Sequence, residues 1–234
     1  MASITCISFF QFDRLPNKVR GFGMMQFAHK HLQNVNGLQF YKLMGTGKGN
    51  GFNPFPDWGT YSLLTVWDTE EDAQHFLKES QLYTIYRAIT TDIYTVFMRC
   101  IKTHGIWSGK QPFDVDLALE IKDNDPICAI TRATIKVRQL RRFWKNVPYS
   151  SEALKENDAL LFTKGIGEVP VIQMATFSIW KNLTSLKDFA YSSKGHQNAI
   201  KLTRKVDWYS EELFARFIPF KTEGSWQGGR PIDL

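Results

Sequence analysis

Apolar and polar positions alternate from Ile4 to Phe12, in a run rich in β-branched and aromatic residues, which predicts a strand. Pro16 opens a helical stretch running to about Gln33, and Asn36-Gly37 stops it. Leu38 to Met44 predicts a second strand, followed by the glycine-rich run Gly45 to Gly51 and a loop to Gly59. Thr60 to Trp67 is a third strand. Asp68 or Thr69 can cap the next helix, which carries Ala73, Phe76 and Leu77, with a further helical piece from Leu82 to Ala88. Tyr94 to Lys102 completes the order strand, helix, strand, strand, helix, strand, which is the ferredoxin-like unit.

The second half repeats that pattern. Ile127 to Ile135 and Val171 to Trp180 read as strands, Leu183 to Val206 as a broken helical segment, and Trp208 to Arg216 as a return. Lys42 and Gly45 match Lys164 and Gly167 at a separation of 122. Thr65-Val-Trp67 and Phe76 match Ser178-Ile-Trp180 and Phe189 at 113, and Trp107-Ser-Gly109 with Pro112 matches Trp226-Gln-Gly228 with Pro231 at 119. The first half therefore carries nine extra residues in its glycine-rich loop, and the second carries six extra around His196. Two such units in one chain predict an α+β fold: tandem duplicated ferredoxin-like units closing a pseudo-symmetric α+β barrel with helices outside. The expected division is an N-terminal unit over 1–113, a charged linker over 114–126 and a C-terminal unit over 127–234.

Composition narrows the class. At 43% hydrophobic residues over 234 positions the chain can bury a sizeable core, with no apolar run of membrane-spanning length and no signal-peptide pattern at its start, so a cytoplasmic protein is expected. Cys6, Cys100 and Cys128 are odd in number and lie in strands, which suits reduced core thiols. The net charge of +6 is most organised over Lys136 to Val147. There Val137, Leu140, Trp144 and Val147 share a helical face, and Arg138, Arg141, Arg142 and Lys145 share the other. That cationic back is either a solvated face or a peripheral contact with the inner face of a membrane. No nucleic-acid-binding motif accompanies it.

Candidate chemistry is sparse. The run Gly45-x-Gly-x-Gly-x-Gly51 precedes no helix and lacks Gly-Lys-Ser/Thr, so neither phosphate-binding motif is met. His29 and His31 are two apart and face different directions; His75 and His104 fall on a polar helix face and a strand end. No nucleophilic triad or carboxylate pair stands out. His196 alone lies in residues that the duplication marks as added, and Ala199, Ile200 and Thr203 would share its helical face. It is either a packed histidine at a helix start or an axial ligand to a haem iron, which needs a neutral imidazole in an apolar pocket. Gln173 interrupts the apolar face of Val171, Ala175, Phe177 and Ile179, and Arg132 interrupts the apolar run Ile127 to Ile135. Each is a barrel-rim residue or a partner for bound oxygen or a carboxylate.

Several blocks resemble the spheroidene monooxygenase family of carotenoid biosynthesis: Lys42-Leu-Met-Gly45, Trp107-Ser-Gly-Lys-x-Pro-Phe113, Thr131-Arg-Ala-Thr-Ile135, Phe143-Trp-x-x-Val-Pro148, Gly165-Ile-Gly-Glu-Val-Pro170, Ala175-Thr-Phe-Ser-Ile-Trp180, and Trp208 with Glu211 to Phe217. The resemblance runs in order over nearly the whole chain. It implies an oxygenase that makes a keto group on an acyclic carotenoid by successive hydroxylations at one carbon, using haem b, molecular oxygen as co-substrate and an electron donor that the sequence does not identify. The family's Pro-His before an Ala-x-x-Ile-like helix stands here as Gly195-His196 before Asn198-Ala-Ile200, so the residue before the histidine departs. On this resemblance His196 is the metal ligand, Ala199 and Ile200 flank the cofactor, and Arg132 and Gln173 are distal candidates. Arg216 is less favoured, being expected late in the last helix or at the start of the last strand. Haem proteins built from paired ferredoxin-like units, including aldoxime dehydratases and dye-decolourising peroxidases, take their proximal histidine from a C-terminal helix, so another haem reaction type is an alternative. A cofactor-free barrel binding an apolar ligand is a third. Two fused units complete one barrel, so a homo-oligomer is not needed for closure.

Overall fold

Alternation that buries both faces of every strand is resolved by closure. In the computed structural model, which describes residues 2–49, 53–145, 157–192 and 208–232, eight antiparallel strands form one closed barrel. They are β1 (Ile4–Gln11), β2 (Leu38–Gly47), β3 (Pro56–Trp67), β4 (Asp92–Gly105), β5 (Ile127–Ile135), β6 (Leu160–Val169), β7 (Gln173–Trp180) and β8 (Tyr209–Gly224), in the order β1-β3-β2-β6-β7-β5-β8-β4. Each ferredoxin-like unit supplies four adjacent strands. The halves meet where Gly45 pairs with Gly167 on β2 and β6, and along the β4–β8 ladder.

The repeat is visible in the register. Ile4 opposes Trp67 as Ile127 opposes Trp180, so β1 maps onto β5 at a separation of 123. Tyr94 opposes Gly224 as Gly105 opposes Leu213. Gly105 and Gly224 have φ of +90° and +82°, and a Cβ on either would meet a main-chain oxygen across the ladder at 2.1 or 1.9 Å. Glycine is required at both by conformation and by contact.

The barrel interior is filled. Ile7, Phe9, Leu64, Met98, Trp107, Ile130, Phe162, Phe177 and Phe217 belong to one buried cluster, so a large ligand has no room there. Outside, α1 (Leu15–Phe27), α2 (Glu70–Glu79) and α3 (Gln81–Ile89) cover the N-terminal half-sheet. Thr69 caps α2 by accepting from Asp72 N–H at 3.1 Å, and Ser80 caps α3 by accepting from Tyr83 N–H at 3.2 Å. α1 ends earlier than the sequence suggests, in a 3-10 turn over Ala28–His31.

The C-terminal half-sheet meets α4 (Leu183–Ser192) and a helical turn over 140–145. In that turn Phe143 is buried with Leu140 and Trp144 packed beside it, while Val137 is turned out to solvent. No helix among the described residues is long and apolar enough to cross a membrane.

Candidate functional site

One face of the molecule departs from the repeat. On the outside of the N-terminal half-sheet, Phe10, Tyr41, Leu43, Tyr61, Leu63 and Phe97 form a continuous apolar surface against the helices. Transferred by the strand registers, these positions become Ala133, Thr163, Gly165, Met174, Thr176 and Arg216 in the C-terminal half. Five of the six replacements remove a ring or a branched chain. The sixth, Arg216, brings a charge. Thr131, beside Ala133 and Thr176, is exposed where its counterpart Ser8 is buried under helix α3 and bonded to the Tyr83 hydroxyl. The outer face of the C-terminal half-sheet is therefore cleared of most large side chains, although Ala133, Thr163, Gly165, Met174 and Arg216 are themselves buried.

Arg216 is the charged residue among those six positions. It sits mid-strand in β8, opposite Ala129 of β5 and Lys102 of β4, nine-tenths buried. Its guanidinium lies 5.1 Å from the Phe214 ring, and its Nε has no hydrogen-bond partner. The Thr163 hydroxyl on the same face is also buried and unpartnered. A buried guanidinium facing no carboxylate among the described residues is costly unless an oxygen-bearing group meets it. The two orphaned donors thus lie on the two edge strands of the half-sheet, Thr163 on β6 and Arg216 on β8.

Arg132 faces the other way. Alternation with Cys128 and Ile130 turns it into the barrel end, 2% exposed, where Glu211 accepts from its Nη1 and Glu168 lies 3.7 Å from its Nη2. Glu168 also accepts from Lys42 Nζ at 2.5 Å and from Trp107 Nε1 at 2.6 Å. Glu211 accepts from the backbone N–H groups of Ser108 and Gly109, both at 2.9 Å. Partial burial alone would raise the Glu211 carboxyl, but the N–H groups of Gly109 and Ser108 and the Arg132 charge outweigh it and hold it below its ordinary value. Two cations and two carboxylates thus cancel, tying β2, β5, β6, β8 and the 107–109 turn together. Arg132 is committed to that network, and its ring neighbour Trp107 lies 5.6 Å from its guanidinium carbon.

Gln173 begins β7 on the same side as Ala175 and Phe177, which line the barrel interior, and pairs with Thr134 and Val169. Val171, expected in the strand, is instead in the preceding turn with φ of +62°, and its carbonyl accepts from Trp144 Nε1 at 3.1 Å. The structure does not bring Arg132 or Gln173 to the cleared outer face. His196, Ala199 and Ile200 lie outside the described residues.

The remaining candidates are accounted for locally. His29 Nδ1 is 3.0 Å from the Tyr41 hydroxyl. The three cysteines are free and buried, and burial raises each thiol, Cys100 to about 12, so all stay protonated near neutrality. Among the described residues no group of His, Cys, Asp and Glu converges on an ion site.

The sequence signal for Arg216 was present but masked. The run Leu213 to Ile218 shows no clean alternation, because β8 pairs on both edges and is buried on both faces. The repeat at 119 places Arg216 at the position of Phe97, and the register against β5 confirms that it faces outward.

Comparison with known proteins gives two kinds of likeness. The chain is 36% identical over 234 residues to the spheroidene monooxygenase of Cereibacter sphaeroides, covering 99% of this chain and 71% of that one. It is 34% identical over 229 residues to the spheroidene monooxygenase of Rhodobacter capsulatus, covering 98% and 95%. No protein-family model matches the chain. Among solved structures, an aldoxime dehydratase matches with a TM-score of 0.64 over 93% of this chain and 81% of that chain at 10% identity, which is a likeness of fold.

Proposed function

The chain belongs to the spheroidene monooxygenase family, and from that premise we propose that it is a haem-dependent monooxygenase that introduces hydroxyl and then keto oxygen into an acyclic carotenoid. The observation that supports a cofactor against the outer C-terminal half-sheet is the exchange of Tyr41, Leu43, Leu63 and Phe97 for Thr163, Gly165, Thr176 and Arg216. In this reading Gly165, Thr176 and Ala133 would leave room for haem b, and His196 would hold its iron, with Ala199 and Ile200 contributing to the cofactor pocket. Haem, when bound, supplies the iron at which molecular oxygen is activated.

The chain's own side chains do the rest. Arg216 donates hydrogen bonds to oxygen that gathers negative charge during the reaction, and its burial makes those bonds stronger than they would be in water. The apolar neighbours Met174 and Phe214 keep water from the face. Two hydroxylations at one carbon give a geminal diol, which loses water to a ketone. Each consumes one dioxygen, two electrons from a separate donor and two protons, placing one oxygen atom on the carbon and releasing the other as water.

The test is product analysis in cells that accumulate an acyclic carotenoid and are supplied with haem precursor. Wild type is expected to yield the hydroxylated and keto pigments, and His196→Ala none. Arg216→Met is expected to lower turnover by roughly tenfold to a thousandfold with haem content retained. A wild-type protein that loads haem and leaves the pigment unchanged would overturn the reading.

A further inference from the structure

From Arg14 to Pro56 the chain contains Arg14, Lys18, Arg20, Lys30, Lys42 and Lys48 and not one Asp or Glu. That stretch alone has the formal charge of the whole protein, +6. It includes α1, whose inner side packs through Gly21 and Met24; a Cβ on Gly21 would meet the Phe12 ring at 2.9 Å. The outer side is not polar. Leu15, Val19 and Phe22 follow one another at helical spacing, Phe27 lies further round at the helix end, and each is more than half exposed.

The loop before β3 adds to the same surface. Trp58 packs edge-on against Phe22 with ring centroids 5.5 Å apart, and Phe55 and Trp58 are themselves more than half exposed. Lys48 N–H donates to the Phe55 carbonyl at 3.0 Å, so the hairpin tip brings its cation alongside. The Lys18 side chain reaches Gly59, where an added Cβ would lie 3.4 Å from its Cε. The result is one apolar and aromatic patch rimmed by Arg14, Lys18, Arg20 and Lys48. It continues into an open groove of about 560 Å³ walled by Met25, Phe27, Tyr41 and Leu43.

We propose that α1 and the 55–59 loop form a docking surface for an anionic lipid bilayer, with Leu15, Val19, Phe22, Phe55 and Trp58 entering the headgroup–acyl boundary and the basic rim meeting lipid phosphates. A soluble helix ordinarily hides such a stripe, and an exposed one bounded by cations is the pattern of an interfacial helix; the carboxylates at its edges are engaged locally, Asp13 accepting from the Arg14 N–H and Asp57 from the Gly59 N–H and from Lys164 Nζ. A second copy of the chain is a poorer occupant, because a two-fold contact would bring Arg14, Lys18 and Arg20 against their own images. Nucleic acid would leave the apolar centre unpaired. Among the described residues the basic turn at 137–145 offers only Val137 as an exposed apolar side chain, since Leu140, Phe143 and Trp144 are packed inward against Trp208 and Tyr209. On this proposal the membrane contact lies on the opposite half of the molecule from Arg138, Arg141, Arg142 and Lys145.

The experiment is flotation of the purified chain with vesicles of phosphatidylcholine alone or mixed with phosphatidylglycerol, at low and high salt. Wild type is expected to float with the mixed vesicles, less so at high salt as the rim is screened. Phe22→Asp/Trp58→Asp is expected to weaken binding by roughly tenfold or more, and Arg14→Glu/Lys18→Glu/Arg20→Glu likewise on anionic vesicles. Arg138→Glu/Arg141→Glu/Lys145→Glu is expected to bind as wild type does. Thermal unfolding checks that each variant is folded, with Val19→Ser/Phe27→Ser as the replacement pair should Phe22→Asp/Trp58→Asp fail. The proposal is overturned if wild type does not float, if the aromatic variant floats undiminished, if only the 138/141/145 variant loses binding, or if the patch instead mediates a dimer that Phe22→Asp/Trp58→Asp dissolves. Oxidation of detergent-dispersed carotenoid by the aromatic variant separates this failure from failure of the proposed oxygenase activity, because that assay needs no docking.

Discussion

The inner and outer faces of the two half-sheets have had different fates. Inside the barrel, Ile7, Met44, Leu64, Val66 and Met98 correspond to Ile130, Ile166, Phe177, Ile179 and Phe217, apolar for apolar throughout. Outside, the N-terminal half keeps its rings and branched chains beneath α1, α2 and α3, while the C-terminal half has given them up for Ala133, Thr163, Gly165, Thr176 and Arg216. Closure needs both halves to fill a shared interior, so the interior is held to one chemistry. The outer faces are independent, and one of them is free to become a site.

The largest effect should come from the filled face. Phe97→Ala is expected to cost about 3–5 kcal/mol in urea unfolding, whereas Thr176→Ala on the cleared face should cost less than about 1 kcal/mol. Equal costs would remove the contrast. Next comes the one interior position where a ring gives way to a charge among the described residues, Arg132 standing in the place of Phe9. Arg132→Met leaves Glu211 and Glu168 without their shared cation; both are partly hydrated, so a loss of about 2 kcal/mol is expected rather than the full penalty of a buried ion. Its haem absorption should be unchanged, which separates a structural arginine from a functional one.

Arg216→Met should behave in the opposite manner. It removes an unpartnered buried charge, so the cofactor-free protein is expected to unfold at the same or slightly higher urea concentration, by up to about 1 kcal/mol, although turnover falls. The smallest effect concerns pH. Because the Glu211 carboxyl is held below its unfolded value, its contribution is present above the ordinary carboxylate range and is lost as pH falls through the lower folded value. Glu211→Gln should therefore show a shallower loss of stability below about pH 4.5 than wild type, in urea titrations across that range.

Much of this was legible in sequence. The unit order, the duplication and the registers at 113, 119 and 122 all follow from alternation and a few matched residues, and Gly45 and Gly167 prove to be paired across the junction. What alternation cannot supply is which of two apolar faces becomes the inside. Arg132 reads as an intrusion in β5 on either side, and only closure aims it at Glu211. Arg216 was legible only as a less favoured distal candidate, because β8 is paired on both edges and packed on both faces and its sequence carries no periodic sign. The outward stripe of α1 was also invisible, since Gly21 and Met24 supply a buried face while Leu15, Val19 and Phe22 look equally suited to be one.

The central claim is that the cleared outer face of the C-terminal half-sheet receives the cofactor. Its most direct test is the absorption spectrum of protein purified from cells supplied with haem precursor, for wild type, His196→Ala and Gly165→Leu, the last restoring the residue that the filled half carries at Leu43. The account predicts a Soret band in wild type, its loss in His196→Ala, and a haem affinity lowered by roughly tenfold or more in a folded Gly165→Leu protein. A colourless wild type, or a Gly165→Leu protein with an undiminished Soret band, would contradict it.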